Sequence, residues 1–442
     1  MFETGVRDRP RGERAILLGA LPSLHAGPYE DPLTELAQLA HTAGAEVVAR
    51  VTQKRERPHP STFYGRGKAE EVARQVDELN AELVITDNDL SPAQLRNLER
   101  IFGVRLVDRT ELILDIFATH AQTHQAQLQV ELAQAEYLMP RLRRMWTHLS
   151  REGGTGQSSG VGTRGPGEKQ LEIDRRLLRK RVLELRRELK AIAERRKRMA
   201  ESRDVYFKVC LVGYTNAGKS TLLRSLTGAD ALVQDQLFST LDTQTRAWTL
   251  PSHKRVFLSD TVGFLRDLPH HLVASFYATL EEVKGAELLL HVADAAHPEA
   301  AEQIEAVEHV LEEIGAAEVP RVLVLNKSDR VEDPVLLNAL GRSRDPIVVI
   351  SALRGGEPLE RLGETVERMI AERQHEVLLR VPAGAGRLLA FLSERGTVLA
   401  REYVDGEVRL RVRLGDADRA RAQHMAAELG VTSEGDGESS PE

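Results

Sequence analysis

The stretch Val209-Cys-Leu-Val-Gly-Tyr-Thr-Asn-Ala-Gly-Lys-Ser-Thr221 decides the fold. Four apolar residues, Val209 to Val212, run into Gly213-Tyr214-Thr215-Asn216-Ala217-Gly218-Lys219-Ser220-Thr221, so a buried strand turns through glycines into a helix. Glycines at such a turn let backbone N–H groups curl around phosphate oxygens. The new helix adds its positive end, and Lys219 brings a full charge towards the β and γ phosphates. Ser220 is placed to ligate Mg²⁺.

Three further segments follow in order. Arg255-Val-Phe-Leu-Ser259 runs into Asp260-Thr261-Val262-Gly263, which suits a carboxylate holding the metal through water and a glycine amide on the γ-phosphate. Arg321-Val-Leu-Val-Leu325 runs into Asn326-Lys327-Ser328-Asp329, and Pro346-Ile-Val-Val-Ile350 into Ser351-Ala352-Leu353. Guanine presents adjacent N1 and N2 donors that one carboxylate accepts together, whereas adenine has an acceptor at N1 and repels it. Asp329 therefore selects GTP over ATP, Asn326 and Lys327 buttress the base, and the Ala352 amide is expected to donate to its O6. Each piece alone also reads as an ordinary surface turn; four in the right order after the right strands do not.

Composition bounds the rest. At 442 residues, 41% hydrophobic and 29% charged, the chain is long enough for two to four domains with their own cores. A single cysteine, Cys210, excludes disulfides within the chain and fits a reducing cytosol. Met1 to Arg9 lacks the apolar run of a signal peptide and no stretch approaches a membrane span, so a cytoplasmic location is expected. Net charge is −7, yet Arg141 to Arg203 holds 19 Lys/Arg against 8 Asp/Glu, a local +11 built to meet polyanions.

Upstream, Ala15 to Leu18, Ala45 to Val51, Ala81 to Thr86 and Val104 to Val107 read as strands. Helices are expected between them at about 31 to 43, 67 to 79 and 91 to 102, a pattern that implies a parallel sheet. Gly65-Arg66-Gly67-Lys68 opens one of these helices and is either an anion site or a basic helix start; it is too short to be a second P-loop. From Leu112 the pattern is helical. Leu128, Leu132, Ala135, Met139 and Leu142 are spaced 4, 3, 4, 3, and Leu178, Val182, Leu185, Leu189 and Ile192 repeat that spacing, so the two stripes should zip into an antiparallel hairpin. Between them, Gly153 to Gly167 holds 7 glycines in 15 residues, a tip that cannot bury a core. Such an arm is either a solvated coiled coil or a probe for a phosphate-lined cavity. Arginine outnumbers lysine in it, which favours phosphate and base stacking.

Downstream, Val377 to Val381, Val398 to Val404 and Val408 to Leu414 read as strands, with helices at about 384 to 394 and 416 to 429. Val404-Asp-Gly-Glu-Val408 reads as a hairpin. The expected division is 1–111 (α/β), 112–204 (helical hairpin), 205–373 (P-loop GTPase), 374–432 (small α+β) and a disordered acidic tail at 433–442.

Across almost its whole length the chain resembles the HflX family of ribosome-associated GTPases. The likeness is carried by Asn88-Asp-Leu-Ser-Pro-Ala-Gln-Leu-Arg-Asn-Leu98, Val107-Asp-Arg-Thr-Glu-Leu-Ile-Leu-Asp-Ile-Phe117 and Gln129-Val-Glu-Leu-Ala133. It continues in Thr163-Arg-Gly-Pro-Gly-Glu-Lys-Gln-Leu-Glu172, Leu237-Phe-Ser-Thr-Leu-Asp242 and Asp260-Thr-Val-Gly-Phe-Leu-Arg-Asp-Leu-Pro269. Lys169 departs from the family pattern, which has threonine there. The resemblance implies a GTPase, monomeric, that binds the large ribosomal subunit with its glycine-rich tip near the peptidyl transferase centre and separates stalled or idle ribosomes, notably under heat stress. It makes Thr240 the switch threonine on Mg²⁺, with Thr243 and Thr245 as nearby rivals. Arg164, Gly165, Arg175 and Arg176 are the expected RNA contacts. A factor that parks on the subunit without separating ribosomes is the competing class.

For hydrolysis, Lys219, Thr240 and Gly263 are the expected catalytic elements. The residue after Gly263 is Phe264, where related folds carry a water-orienting glutamine, so hydrolysis is expected to be slow until the ribosome orders the switches. Asn216 stands where potassium-activated GTPases hold K⁺, and is either such a ligand or a residue that tolerates the turn. Arg246 and Arg266 are solvated switch arginines or phosphate contacts. His270-His271 do not share a helix face and suggest no metal.

Overall fold

The computed structural model describes residues 12–21, 31–142, 166–201, 207–228, 238, 244–265, 282–333, 335, 337, 340, 346–404, 406–428 and 433–434. The first sheet is wholly parallel, with β1 (Arg14–Leu21), β2 (Glu46–Lys54), β3 (Leu83–Thr86) and β4 (Arg105–Asp108) in the order β2-β1-β3-β4. Both its faces are covered, which is why β1 is apolar without alternation. Ala15 and Leu17 pack on the side of α1 (Thr34–Ala43) and α4 (Arg109–His120), Ile16 and Leu18 on the side of α2 (Arg66–Glu78) and α3 (Pro92–Phe102). Helix α3 starts where the sequence says it should. Ser91 Oγ accepts from Gln94 N (3.3 Å) and the Gln94 side chain accepts from Ser91 N (2.9 Å), with Pro92 in the first turn.

The arm comprises α5 (His124–Leu138) and α6 (Pro166–Glu201). Their two stripes meet: Leu128, Leu132 and Ala135 bury against Val182 and Leu185, flanked by Met139, Leu178, Leu189 and Ile192. Arg181 grips Glu131 with two bonds (2.7 and 2.8 Å) and Arg186 reaches Glu136 (2.7 Å). These pairs join equivalent flanks of the stripes, as an antiparallel alignment requires. Arg181 and Glu131 are 40% and 42% exposed, so solvent leaves that pair worth less than about 1 kcal/mol and the apolar seam dominates. At the arm's base, buried Asp108 caps α4 through Glu111 N (2.9 Å) and accepts from Tyr137 Oη (3.0 Å) and Arg141 Nη2 (3.0 Å). Burial pushes its carboxyl up to about 6 against the pull of Arg141.

The central sheet has β5 (Phe207–Gly213), β6 (Gln244–Thr249), β7 (Arg255–Asp260), β8 (Leu288–Asp294), β9 (Arg321–Asn326) and β10 (Ile347–Val349) in the order β10-β9-β8-β5-β7-β6, with β6 alone antiparallel. Helices α7 (Lys219–Thr227), α8 (Ala300–Glu313) and α9 (Glu357–Glu372) pack on it. One apolar core is continuous between the first two sheets: Leu36, Ile113 and Phe117 on the N-terminal side join Tyr214, Phe238, Phe264 and Leu265 on the other.

The last sheet is antiparallel, β12 (Thr397–Val404), β13 (Glu407–Gly415), β11 (Gln374–Pro382) and β14 (Ser433–Glu434), in the order β12-β13-β11-β14. Helices α10 (Gly386–Arg395) and α11 (Asp416–Glu428) cover one face. Ser433–Glu434, placed by composition in a structureless tail, instead pair with Leu379 and Leu378. The edge of β11 offers unpaired backbone groups that override a polar sequence. Residues 435–442 lie outside the described residues. Among the described residues no helix is long and apolar enough to cross a membrane.

Candidate nucleotide site

In the central sheet the direction of winding reverses beside β5, which lies between β8 and β7. A crevice forms at the carboxyl end of such a strand. The loop leaving β5 is bounded by two glycines pressed against the ends of β8 and β9. Gly213 has φ +150°, and a Cβ there would lie 2.1 Å from Val292 O; Gly218 has φ +94°, and its Cβ would lie 2.3 Å from Asn326 Nδ2. Neither position accepts another residue, so the glycines of the motif are required by the turn itself.

Lys219 opens α7 and is buried. Its ammonium donates to Gly213 O (3.1 Å) and Tyr214 O (2.9 Å), and burial pushes its pKa down to about 8 while Asp260 pulls the other way. A cation held in a dry site gains most when an anion arrives. Ser220 Oγ donates to Asp260 Oδ2 at 2.7 Å, joining the first helical turn to the end of β7. Gly263 follows directly against the loop, where a Cβ would stand 2.8 Å from Thr215 Cα and 3.0 Å from Lys219 Nζ. Thr215 Oγ1 is buried with no hydrogen-bond partner among the described residues. A hydroxyl paired with a carboxylate, a free buried hydroxyl and a cation around a backbone cradle fit a phosphate group and a hard divalent cation.

The other end of the crevice is built by β9 and β10. Buried Asn326 donates from Nδ2 to Ala217 O (2.9 Å) and accepts at Oδ1 from Ala352 N (2.9 Å). The Ala352 amide expected on the base O6 is therefore engaged by Asn326, because that buried side-chain oxygen has to be satisfied. Asn326 buttresses loops, and Lys327 Nζ pairs with Asp294 Oδ2 (2.7 Å). Asp329 Oδ1 accepts from Ser351 Oγ at 2.6 Å, a bond that holds its pKa below the ordinary carboxylate range. Leu353 is exposed at the rim. Asn216 is exposed with φ +60°.

Phe264 donates from its amide to Gly213 O (3.1 Å) and accepts from Thr215 N (2.8 Å), so its backbone is laced to the P-loop while its ring is buried in the core shared with the N-terminal domain. Sequence reasoning missed what lies beyond it. Tyr214 Oη donates to Glu35 Oε2 of α1 (2.7 Å), and Phe238 packs edge-on against Phe117 of α4 with centroids 4.5 Å apart. The one available signal was three aromatic residues, Tyr214, Phe238 and Phe264, at separate loop positions that a self-contained domain would have left polar. Thr240, Arg266, His270, His271, Arg164 and Gly165 lie outside the described residues. Arg176 is exposed on α6, Arg175 half-buried beside it, and Arg246 is exposed on β6.

Three family models match in succession: GTP-binding GTPase N-terminal over 30–118, GTP-binding GTPase Middle Region over 120–203, and 50S ribosome-binding GTPase over 208–327. GTPase HflX of Caldanaerobacter subterraneus subsp. tengcongensis is 45% identical over 393 residues, 88% of each chain. The chain belongs to the HflX family of GTPases. HflX of Escherichia coli K12 is 45% identical over 417 residues, 93% of this chain and 95% of that one. Among solved structures, a GTP-binding protein from Sulfolobus solfataricus in complex with GDP matches at 24% identity and TM-score 0.42, over 81% of this chain and 99% of that one. As an HflX-family member the chain is a GTPase, and the loop that leaves β5 is its P-loop.

Proposed function

We propose that this chain is a cytoplasmic, monomeric, GTP-driven factor that docks on the large ribosomal subunit and separates stalled or idle ribosomes under stress. What supports the reading is the union, through one apolar core, of a P-loop with an arginine-rich helical pair. The loop amides from Gly213 to Thr221 and Lys219 hold the β and γ phosphates, and the Gly263 amide senses the γ-phosphate. Ser220, Thr240 and Asp260 would hold Mg²⁺, which would supply neutralisation of phosphate charge. Asp329 reads guanine, steadied by Ser351, while Asn326 and Lys327 fix the loops around it and Leu353 closes the rim. Arg164, Gly165, Arg175 and Arg176 meet ribosomal RNA near the peptidyl transferase centre.

The Phe264 ring faces the core and has no group to orient water, so hydrolysis by the chain alone is slow and rises when the ribosome orders the switches. Exposed Asn216 beside the phosphates is the candidate K⁺ ligand, tested by comparing hydrolysis in potassium and sodium buffers. Sucrose-gradient sedimentation of ribosomes with the protein and GTP, GDP or a non-hydrolysable analogue tests the whole. Free subunits with GTP support it; intact ribosomes carrying bound protein would instead mean a factor that parks. Equal binding in all nucleotide states would remove the switch altogether.

A further inference from the structure

The hydroxyl of Tyr214 crosses a domain boundary. It belongs to the second residue of the P-loop, yet it donates to a carboxylate of α1, and the other oxygen of that carboxylate accepts from Arg109 Nη2 at the start of α4. Arg109 also donates from Nη1 to Asp87 Oδ1 (2.7 Å), and its guanidinium is 8% exposed. Glu35 is thus clamped from behind before it meets the loop. Through its backbone Tyr214 touches two parts of the phosphate site: its carbonyl accepts from the Lys219 ammonium, and its neighbours Gly213 and Thr215 exchange bonds with Phe264. A shift of this side chain therefore moves the oxygens that aim Lys219.

We propose that Glu35 of the N-terminal domain, braced by Arg109, is a positioning residue for GTP hydrolysis, acting through Tyr214 to fix the P-loop carbonyls that orient Lys219. The family models divide the chain between these residues, with Glu35 and Arg109 in one and Tyr214 in another. The site is incomplete without the N-terminal domain. This rests on GTP hydrolysis alone and is independent of ribosome separation.

The test uses the full chain and steady-state GTP hydrolysis without ribosomes. Tyr214→Phe keeps the buried ring and removes only the bond; kcat falls about tenfold with KM within about twofold, the size of one charge-assisted hydrogen bond expressed in the transition state. Glu35→Ala gives the same loss. Glu35→Gln can still bridge, its amide donating to Tyr214 Oη and its oxygen accepting from Arg109, and retains the rate within about threefold. Tyr214→Phe combined with Glu35→Ala loses no more than either alone. If Glu35→Ala does not fold, the comparison of Tyr214→Phe with Glu35→Gln decides. Unchanged kcat with a lowered melting temperature makes the contact structural only; a faster rate makes it a restraint; multiplicative losses uncouple the pair. Each of these outcomes overturns the proposal.

Discussion

The chain contains two sheets with a reversal of winding, one wholly parallel and one with β6 alone antiparallel, and they treat the resulting crevice in opposite ways. In the central sheet the loop after β5 turns on Gly213 and Gly218 and gathers the Lys219 ammonium onto its own carbonyls, a lining suited to phosphate. In the N-terminal sheet the equivalent space lies between β1 and β3 and is stitched shut. Asn88 accepts from Ala20 N (2.8 Å) and donates to Ala20 O (3.2 Å), while buried Tyr64 brings its hydroxyl to Leu18 O (3.3 Å), Asn88 Oδ1 (2.9 Å) and Thr86. Leu33 closes the end, packed so tightly that a Cβ on Gly19 would lie 2.6 Å from it. The same topology makes a binding site only when the loops decline to fill it. The contrast extends to two asparagines. Asn326 ties the P-loop to the loop after β10; Asn88 ties the end of β1 to the loop after β3 across the crevice.

The comparison breaks most sharply at Lys219. Lys219→Ala should lower GTP hydrolysis at least about a thousandfold, measured by phosphate release, with far-UV circular dichroism unchanged. Asp329→Asn should cost about a hundredfold in GTP affinity and gain xanthine nucleotide, which offers an acceptor where guanine offers a donor; competition binding with both nucleotides checks it. The two asparagines should then part company. Asn326→Ala weakens GDP binding about tenfold, whereas Asn88→Ala leaves it unchanged and costs about 1–3 kcal/mol in urea unfolding. Equal effects on both readouts would erase the distinction between a framed crevice and a filled one.

The smallest effect is in pH. Because burial depresses Lys219 to about 8, its ammonium is present below that pH and lost above it. Phosphates favour the charged form, so GDP affinity should be flat from pH 6.5 to 7.5 and fall by up to about tenfold per unit above pH 8. Calorimetry in buffers of different ionisation enthalpy should register proton uptake there. Affinity that is level to pH 9.5 would mean that Lys219 stays charged without a ligand.

Much of this was legible in the chain itself. The order of strand, glycine loop and lysine, and the two 4-3-4-3 stripes, are local patterns whose period matches the element they form, and the stripes meet as spaced. The Ser91 capping box lies within four residues and needs no partner elsewhere. What failed to show was long-range. Nothing around Glu35 marks it as the partner of a residue 179 positions away, and Asn88 reads the same whether it fills a crevice or borders one.

The sequence alone determined that a phosphate cradle selective for guanine exists here and that a basic helical pair precedes it, because backbone turns, charge and hydrophobic period are written in adjacent residues. The tertiary structure alone decided which crevice is stitched across by Asn88 and Tyr64, that the Ala352 amide serves Asn326, and that the cradle leans on another domain. Those outcomes depend on which side chains from distant segments compete for the same buried donors, and that competition is settled only when the chain has packed.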